Sequence, residues 1–151
     1  MAMDDTVFMK AALKEAGKAA ARGEVPIGAV VIREGRVIAR GSNRPVKSSD
    51  PTAHAEIVAL RSAGRRTGNY RLPDCDLYVT VEPCAMCLGA LVQARIRRLV
   101  FGAHDPKAGA VSSIMTFPFD RTNHQPEILG GVLAGECAKL LRDFFRSRRR
   151  T

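Results

Sequence analysis

Two short segments constrain this chain more than any other feature: His54-Ala55-Glu56 and Pro83-Cys84-Ala85-Met86-Cys87. Zinc takes imidazole nitrogen and thiolate sulfur in a tetrahedral array, so the segments share a metal only if the fold sets them side by side. Glu56 precedes Cys84 by 28 residues, room for a loop and one strand between two helix starts. Cys84 and Cys87 stand at i and i+3 and share one helix face. The first turn of a helix favours thiolate, through unpaired N–H groups and the dipole. His54 adds a third donor. Three protein ligands leave a position for water, the arrangement of a catalytic zinc rather than a structural one. Zinc lowers the pKa of such a water toward ~7, and Glu56 suits the non-ligand that moves its proton to a leaving group. Residues i and i+2 lie about 200° apart on a regular helix. His54 and Glu56 therefore reach one spot only if His54 sits at the irregular helix start. Each segment alone has a plainer reading. His-x-Glu is often structural, and Cys-x-x-Cys can be a redox pair or half of a structural zinc site completed by Cys75 or Cys137. Their order, the proline and the two helix-start contexts together favour the catalytic centre.

The surrounding pattern supplies those helix starts. An amphipathic helix is expected over about 4–22, with Phe8, Ala12, Ala16, Ala19 and Ala20 on one stripe and Gly23 as its stop. The β-branched runs 27–32 and 36–39, on either side of Glu34-Gly35, read as a hairpin. Residues 43–51 read as a loop. A helix is expected from Thr52, as N-cap, to about Ala63, with Gly64 just past its end. The run 77–81 reads as a strand and 83 to about 94 as a helix with Pro83 in its first turn. A strand at 99–101, an irregular stretch over 103–126 and a basic helix over about 133–151 complete the order. Strands alternating with helices imply parallel crossovers beside the antiparallel hairpin, hence an α/β chain with a mixed sheet between helix layers. The whole chain, 1–151, reads as a single domain, since its length suits one core.

Composition narrows the setting. No uncharged apolar run approaches the ~18 residues of a membrane span, and residues 1–23 lack the charged-then-apolar order of an export signal. The expectation is a cytoplasmic protein, whose four cysteines bind metal or do chemistry more readily than they pair. A formal charge of +9, with 24 Lys and Arg against 15 Asp and Glu, is consistent with a polyanionic partner. Eighteen of those cations are Arg, which suits phosphate forks and base stacking.

His-x-Glu followed by Pro-Cys-x-x-Cys is the pattern of zinc nucleobase deaminases, in which the Glu moves protons and is not a ligand. The chain resembles the cytidine-deaminase superfamily on these residues. Within it the chain resembles the bacterial tRNA-specific adenosine deaminases, which convert a wobble adenosine to inosine. Further matching segments are 24–30, Asn43-Arg44-Pro45, 50–56, Asn69-Tyr70-Arg71-Leu72, 77–84, 101–107 and Phe144-Phe145-Arg146. The resemblance implies a three-layer α/β/α fold on a mixed five-stranded sheet, and a homodimer. It implies one zinc held by His54, Cys84 and Cys87, with Glu56 as the catalytic proton shuttle. It implies nucleoside contacts from Asn43 and the Ala55 backbone, and an apolar wall from Val25 and Pro26. It also implies anticodon-loop contacts from Asp105, Phe145, Arg146, Arg148 and Arg149, making a tRNA anticodon stem-loop the expected partner. Met86 is expected to pack, Cys75 and Cys137 are expected to be ordinary core or surface thiols rather than ligands, and His104 has no assigned role.

Two other readings remain open at this level. A free-base or nucleoside deaminase, acting on guanine, cytosine or cytidine, uses the same zinc chemistry without a nucleic-acid footprint. A zinc-stabilised RNA-binding module without turnover has no need of Glu56.

Overall fold

The computed structural model describes residues 4–149. The ends of the expected domain, 1–3 and 150–151, and with them the tip of the expected basic helix, lie outside those residues. Helix α1 (Asp5–Ala21) is capped by Asp4, whose carboxylate accepts the Thr6 N–H. Strands β1 (Gly28–Arg33) and β2 (Arg36–Ser42) pair antiparallel. Glu34 and Gly35 both have positive φ, the twist that suits a two-residue hairpin. A short helix, α2 (Pro45–Ser48), precedes α3 (Ala55–Thr67), β3 (Cys75–Val81), α4 (Ala85–Ala94) and β4 (Arg98–Ala103). The 3-10 turn 119–121, β5 (Glu127–Leu129) and α5 (Ala134–Arg149) follow.

The sheet order is β2-β1-β3-β4-β5. β1 pairs antiparallel with both β2 and β3, whereas β3, β4 and β5 run parallel. This is the expected mixed five-stranded sheet. Successive side chains of a strand face opposite ways, so each strand feeds two cores. Val30, Ile32, Tyr78 and Val100 pack with Phe8, Met9 and Ala12 of α1 and Cys137 of α5. Ala29, Val31, Leu77, Val79, Leu99 and Phe101 pack with Ala55, Ala59 and Ala63 of α3 and Leu88 and Leu91 of α4. Arg98 forks onto the Asp5 carboxylate at 2.7 and 2.8 Å, and the Tyr78 hydroxyl donates to the same group, tying the start of α1 to the sheet.

Several boundaries differ from the sequence expectation. Thr52 is not the cap of α3. Its N–H and hydroxyl both donate to Asp50 in a local turn, and the N-cap is His54, in extended conformation. The helix also runs through Gly64 and stops at Gly68, which supplies the left-handed φ of 72°. The last turn is closed by the Gly68 and Asn69 N–H groups, which both donate to the Gly64 carbonyl at 2.8 and 3.1 Å. The α4 helix starts at Ala85 with Cys84 as N-cap, not at Pro83. A helical turn, α2, forms inside the expected 43–51 loop.

The seat of α3 depends on one glycine. An ideal Cβ on Gly41 would lie 2.3 Å from the Ala55 carbonyl oxygen and 2.6 Å from the Ala59 nitrogen. Gly41→Ala is expected to destabilise the protein by about 1–3 kcal/mol and to push the α3 start off the sheet. Calorimetry with a zinc titration checks this; a wild-type melting temperature with wild-type zinc affinity contradicts it.

Candidate active site and metal centre

Both chemistry-bearing segments lie at helix N-termini on the same side of the sheet. His54 is the N-cap of α3, Cys84 the N-cap of α4, and Cys87 lies in the first turn of α4. The irregular start required for His54 is therefore present, and Glu56, two residues into α3, is buried beside it. The His54 Nδ1 atom is 3.6 Å from the sulfur of Cys84 and 3.6 Å from that of Cys87. Bond lengths of about 2.0–2.1 Å to nitrogen and about 2.3 Å to sulfur give a tetrahedral N···S edge of about 3.6 Å. The three donors fit zinc. Among the described residues they form the one group of this kind, with all three atoms within 4.8 Å of one another. Cys75 and Cys137 are buried elsewhere, and burial pushes the Cys137 thiol up to about 11.

The electrostatics follow from proximity. A hydrogen bond from Cys87, with further help from His54, pulls the Cys84 thiol down to about 4. Cys87 moves the other way, through that same bond and its burial. The His54 imidazole is raised by its contact with Cys84. Burial pushes the Glu56 carboxyl up to about 7. A carboxyl poised near neutral pH can both take and give a proton.

Asn43 has a role that the sequence concealed. Its Oδ1 accepts the Ala55 N–H at 2.8 Å, capping α3 from across the β2 end. His54 makes no side-chain cap bond of its own, since its ring faces the sulfurs. Arg22 donates to the Ser42 hydroxyl at 2.6 Å and to the Asn43 carbonyl at 3.4 Å, holding the same corner. Glu24, also buried, accepts the Val46 and Lys47 N–H groups at 3.2 and 2.7 Å and so fixes α2.

Two grooves are lined by residues that the sequence marks for substrate contact. One, of about 400 Å³, runs between Val25, Asn43, Val46 and Phe145. The other, of about 460 Å³, runs between Val25, Asp105, Lys107, Phe145, Arg146 and Arg149. Val25 and Phe145 line both. Pro26 is buried behind Val25. Arg148 donates to the Gly23 carbonyl at 2.6 Å and lies over the Phe144 ring at 5.0 Å, which latches the end of α5 to the α1–β1 connection. His104, with no role assigned from the sequence, has its Nδ1 atom 3.1 Å from Glu82. Phe117 and Phe119 pack together against the α3–α4 core, their ring centroids 4.7 Å apart.

The family model for MafB19-like deaminases matches residues 3–149. A tRNA-specific adenosine deaminase of Agrobacterium fabrum is 52% identical over 145 residues, 95% of each chain. The Haemophilus influenzae enzyme of the same name is 50% identical over 147 residues, covering 96% of this chain and 85% of its own. A structure solved in studies of A-to-I editing by tRNA:A34 deaminases superposes with a TM-score of 0.87 at 51% identity, covering 90% of this chain and 99% of that one. A guanine deaminase from Nitrosomonas europaea shares the fold at a TM-score of 0.78 but only 27% identity, covering 95% of this chain and 85% of that one. The chain belongs to the MafB19-like deaminase family, among the tRNA-specific adenosine deaminases of the cytidine-deaminase superfamily.

Proposed function

We propose that this protein deaminates the wobble adenosine of a tRNA anticodon to inosine by zinc-dependent hydrolysis, with one zinc per subunit and the whole chain acting as one domain. The observation that carries deamination is the set of three donors spaced for zinc beside a buried, non-ligating Glu56. Full-length identity of 52% to a named tRNA-specific adenosine deaminase selects the substrate.

Zinc, when bound by His54, Cys84 and Cys87, supplies a Lewis acid that makes a water acidic near neutral pH. Glu56 accepts one proton from the water that adds to carbon 6 and gives it to the ring nitrogen, then carries the second proton from the new carbon-6 hydroxyl to the departing amine. Water oxygen stays on the base and ammonia leaves. Asn43 holds the nucleoside through its amide nitrogen, the Ala55 N–H fixes that side chain through the Asn43 Oδ1, and Val25 and Pro26 wall the unstacked base. Extrusion costs less from a single-stranded loop than from a duplex. Asp105, Phe145, Arg146 and Arg149 face the anticodon loop, and Arg148, bound to the Gly23 carbonyl, holds the end of α5 in place.

The active unit is a homodimer. Support comes from the face of α3 and α4, where Ile57, Leu60, Tyr70 and Ala90 border an open apolar groove of about 690 Å³. Tyr70 there is 66% exposed. No described helix is long and apolar enough to cross a membrane. A tRNA substrate supports a cytoplasmic enzyme.

The deciding experiment incubates pure protein with an adenosine-wobble tRNA, with guanine and cytidine as comparison substrates. Inosine in the tRNA alone is expected; guanine turnover without inosine overturns the reading. Light scattering during gel filtration reads the dimer. Truncation after Phe145 removes four arginines. It is expected to weaken tRNA binding and to flatten the slope of log affinity against log salt by up to about 3. An unchanged slope removes α5 from the footprint.

A further inference from the structure

Strand β3 is buried along all seven residues, and the next residue, Glu82, is a carboxylate whose side chain is 0% exposed. The chain from His104 to Pro118 has no helix or strand, and much of it is wrapped around that one carboxylate. Glu82 Oε1 accepts the Asp105 N–H at 3.1 Å and the Ser113 hydroxyl. Oε2 accepts the N–H groups of Val111, Ser112 and Ser113 at 3.0, 2.9 and 3.2 Å. Buried backbone donors need partners. Here a single side chain serves both ends of the segment, as a nest of N–H groups serves an anion.

Two further observations bear on the same contact. The Ala110 N–H donates to the Pro83 carbonyl at 2.9 Å, immediately before the first cysteine ligand. An ideal Cβ on Gly109 would lie 2.4 Å from Glu82 Cδ and 2.5 Å from its Oε1, so the loop closes on the carboxylate only with glycine there. The segment carries Asp105 and Lys107 to the groove that Phe145 and Arg146 also line. Asp105 Oδ1 accepts the Lys107 and Ala108 N–H groups at 2.9 and 3.2 Å, which shapes the turn itself. The placement of that turn in the molecule comes from Glu82.

We propose that Glu82 is a positioning residue for RNA binding: seated two residues before Cys84, it sets the 104–113 loop, with Asp105 and Lys107, at a fixed distance from the metal centre. The proposal rests on the deaminase reading above. Glu82 touches no reacting atom, so its effect is on substrate affinity rather than on proton transfer.

The test uses zinc-loaded wild type, Glu82→Gln and Gly109→Ala, with an anticodon stem-loop RNA bearing adenosine at the wobble position. In Glu82→Gln an amide donor replaces an acceptor and faces backbone donors, opening one arm of the nest. Gly109→Ala leaves the carboxylate intact and displaces the loop. Both variants are expected to raise KM, and the Kd read by fluorescence anisotropy, by roughly tenfold. The fall in kcat is expected to be smaller than the rise in KM, and zinc content is expected to match wild type. If Glu82→Gln fails to fold, Gly109→Ala decides alone. A wild-type Kd in Gly109→Ala, or a loss of kcat at unchanged KM in either variant, overturns the proposal. A wild type that makes no inosine overturns the deaminase reading and the proposal with it, whereas an active wild type matched by both variants overturns the proposal alone.

Discussion

Glu56→Ala is expected to abolish deamination while leaving zinc in place. Glu56 is buried and lies outside the group of three metal donors, so its removal takes away the proton carrier and no ligand. General acid–base catalysis contributes roughly 10²–10⁴-fold in rate, and a group serving both addition and amine departure belongs at the upper end. Glu56→Gln keeps the shape and loses the same function. A carboxyl in so dry a position is costly to ionise, so Gln is expected to hold or raise the melting temperature while inosine formation disappears. Metal analysis by mass spectrometry, calorimetry and single-turnover kinetics on tRNA read the three quantities separately. Substantial turnover in either variant, at full zinc occupancy, removes Glu56 from the mechanism.

Cys87→Ser is expected to lose zinc, activity and stability together. Cys87 is fully buried and is one of only three donors, and serine is a hard, weakly acidic substitute for thiolate. Because metal binding is linked to folding, wild type is expected to melt higher with zinc than after chelation, and the variant to melt at one temperature in both conditions. The contrast with Glu56→Ala is the informative part: one variant separates catalysis from metal, and the other cannot. Stoichiometric zinc in Cys87→Ser contradicts the ligand assignment.

Much of this was readable along the chain, because the signals are local. Cys84 and Cys87 share a face by helix periodicity alone, and Pro83 marks a helix beginning whichever residue is formally first. The hairpin at Glu34-Gly35 follows from β-branched runs around a turn that tolerates positive φ. Errors fell where a local signal had a competitor. Thr52 looks like a cap, but Asp50 claims its N–H and hydroxyl. Gly64 looks like a stop, but its carbonyl accepts the Gly68 N–H and the Ala63 carbonyl accepts the Thr67 hydroxyl, closing one more turn before Gly68 ends α3. β5 is three residues long and exposed, too short to show a period.

Glu24 and Glu82 were the larger omissions. A lone acidic residue beside a strand end reads as surface charge, and only the folded chain reveals the backbone donors that converge on each. Asn43 is similar: the resemblance marks it for the nucleoside, but its bond to the Ala55 N–H, 12 residues on, depends on β2 lying against α3.

The sequence by itself determined the donor set, the proton carrier, the alternation of strands and helices and the basic character of α5, because each depends on residue type and short spacing. The tertiary structure decided what spacing cannot express. It placed His54 3.6 Å from both sulfurs, buried Glu56, and wrapped an irregular loop around Glu82. The contacts of His54 with the sulfurs and of the Glu82 carboxylate with the loop N–H groups join residues 23 to 33 positions apart, a separation at which short spacing in the sequence no longer sets geometry and only the packing of helices and loops on the sheet does.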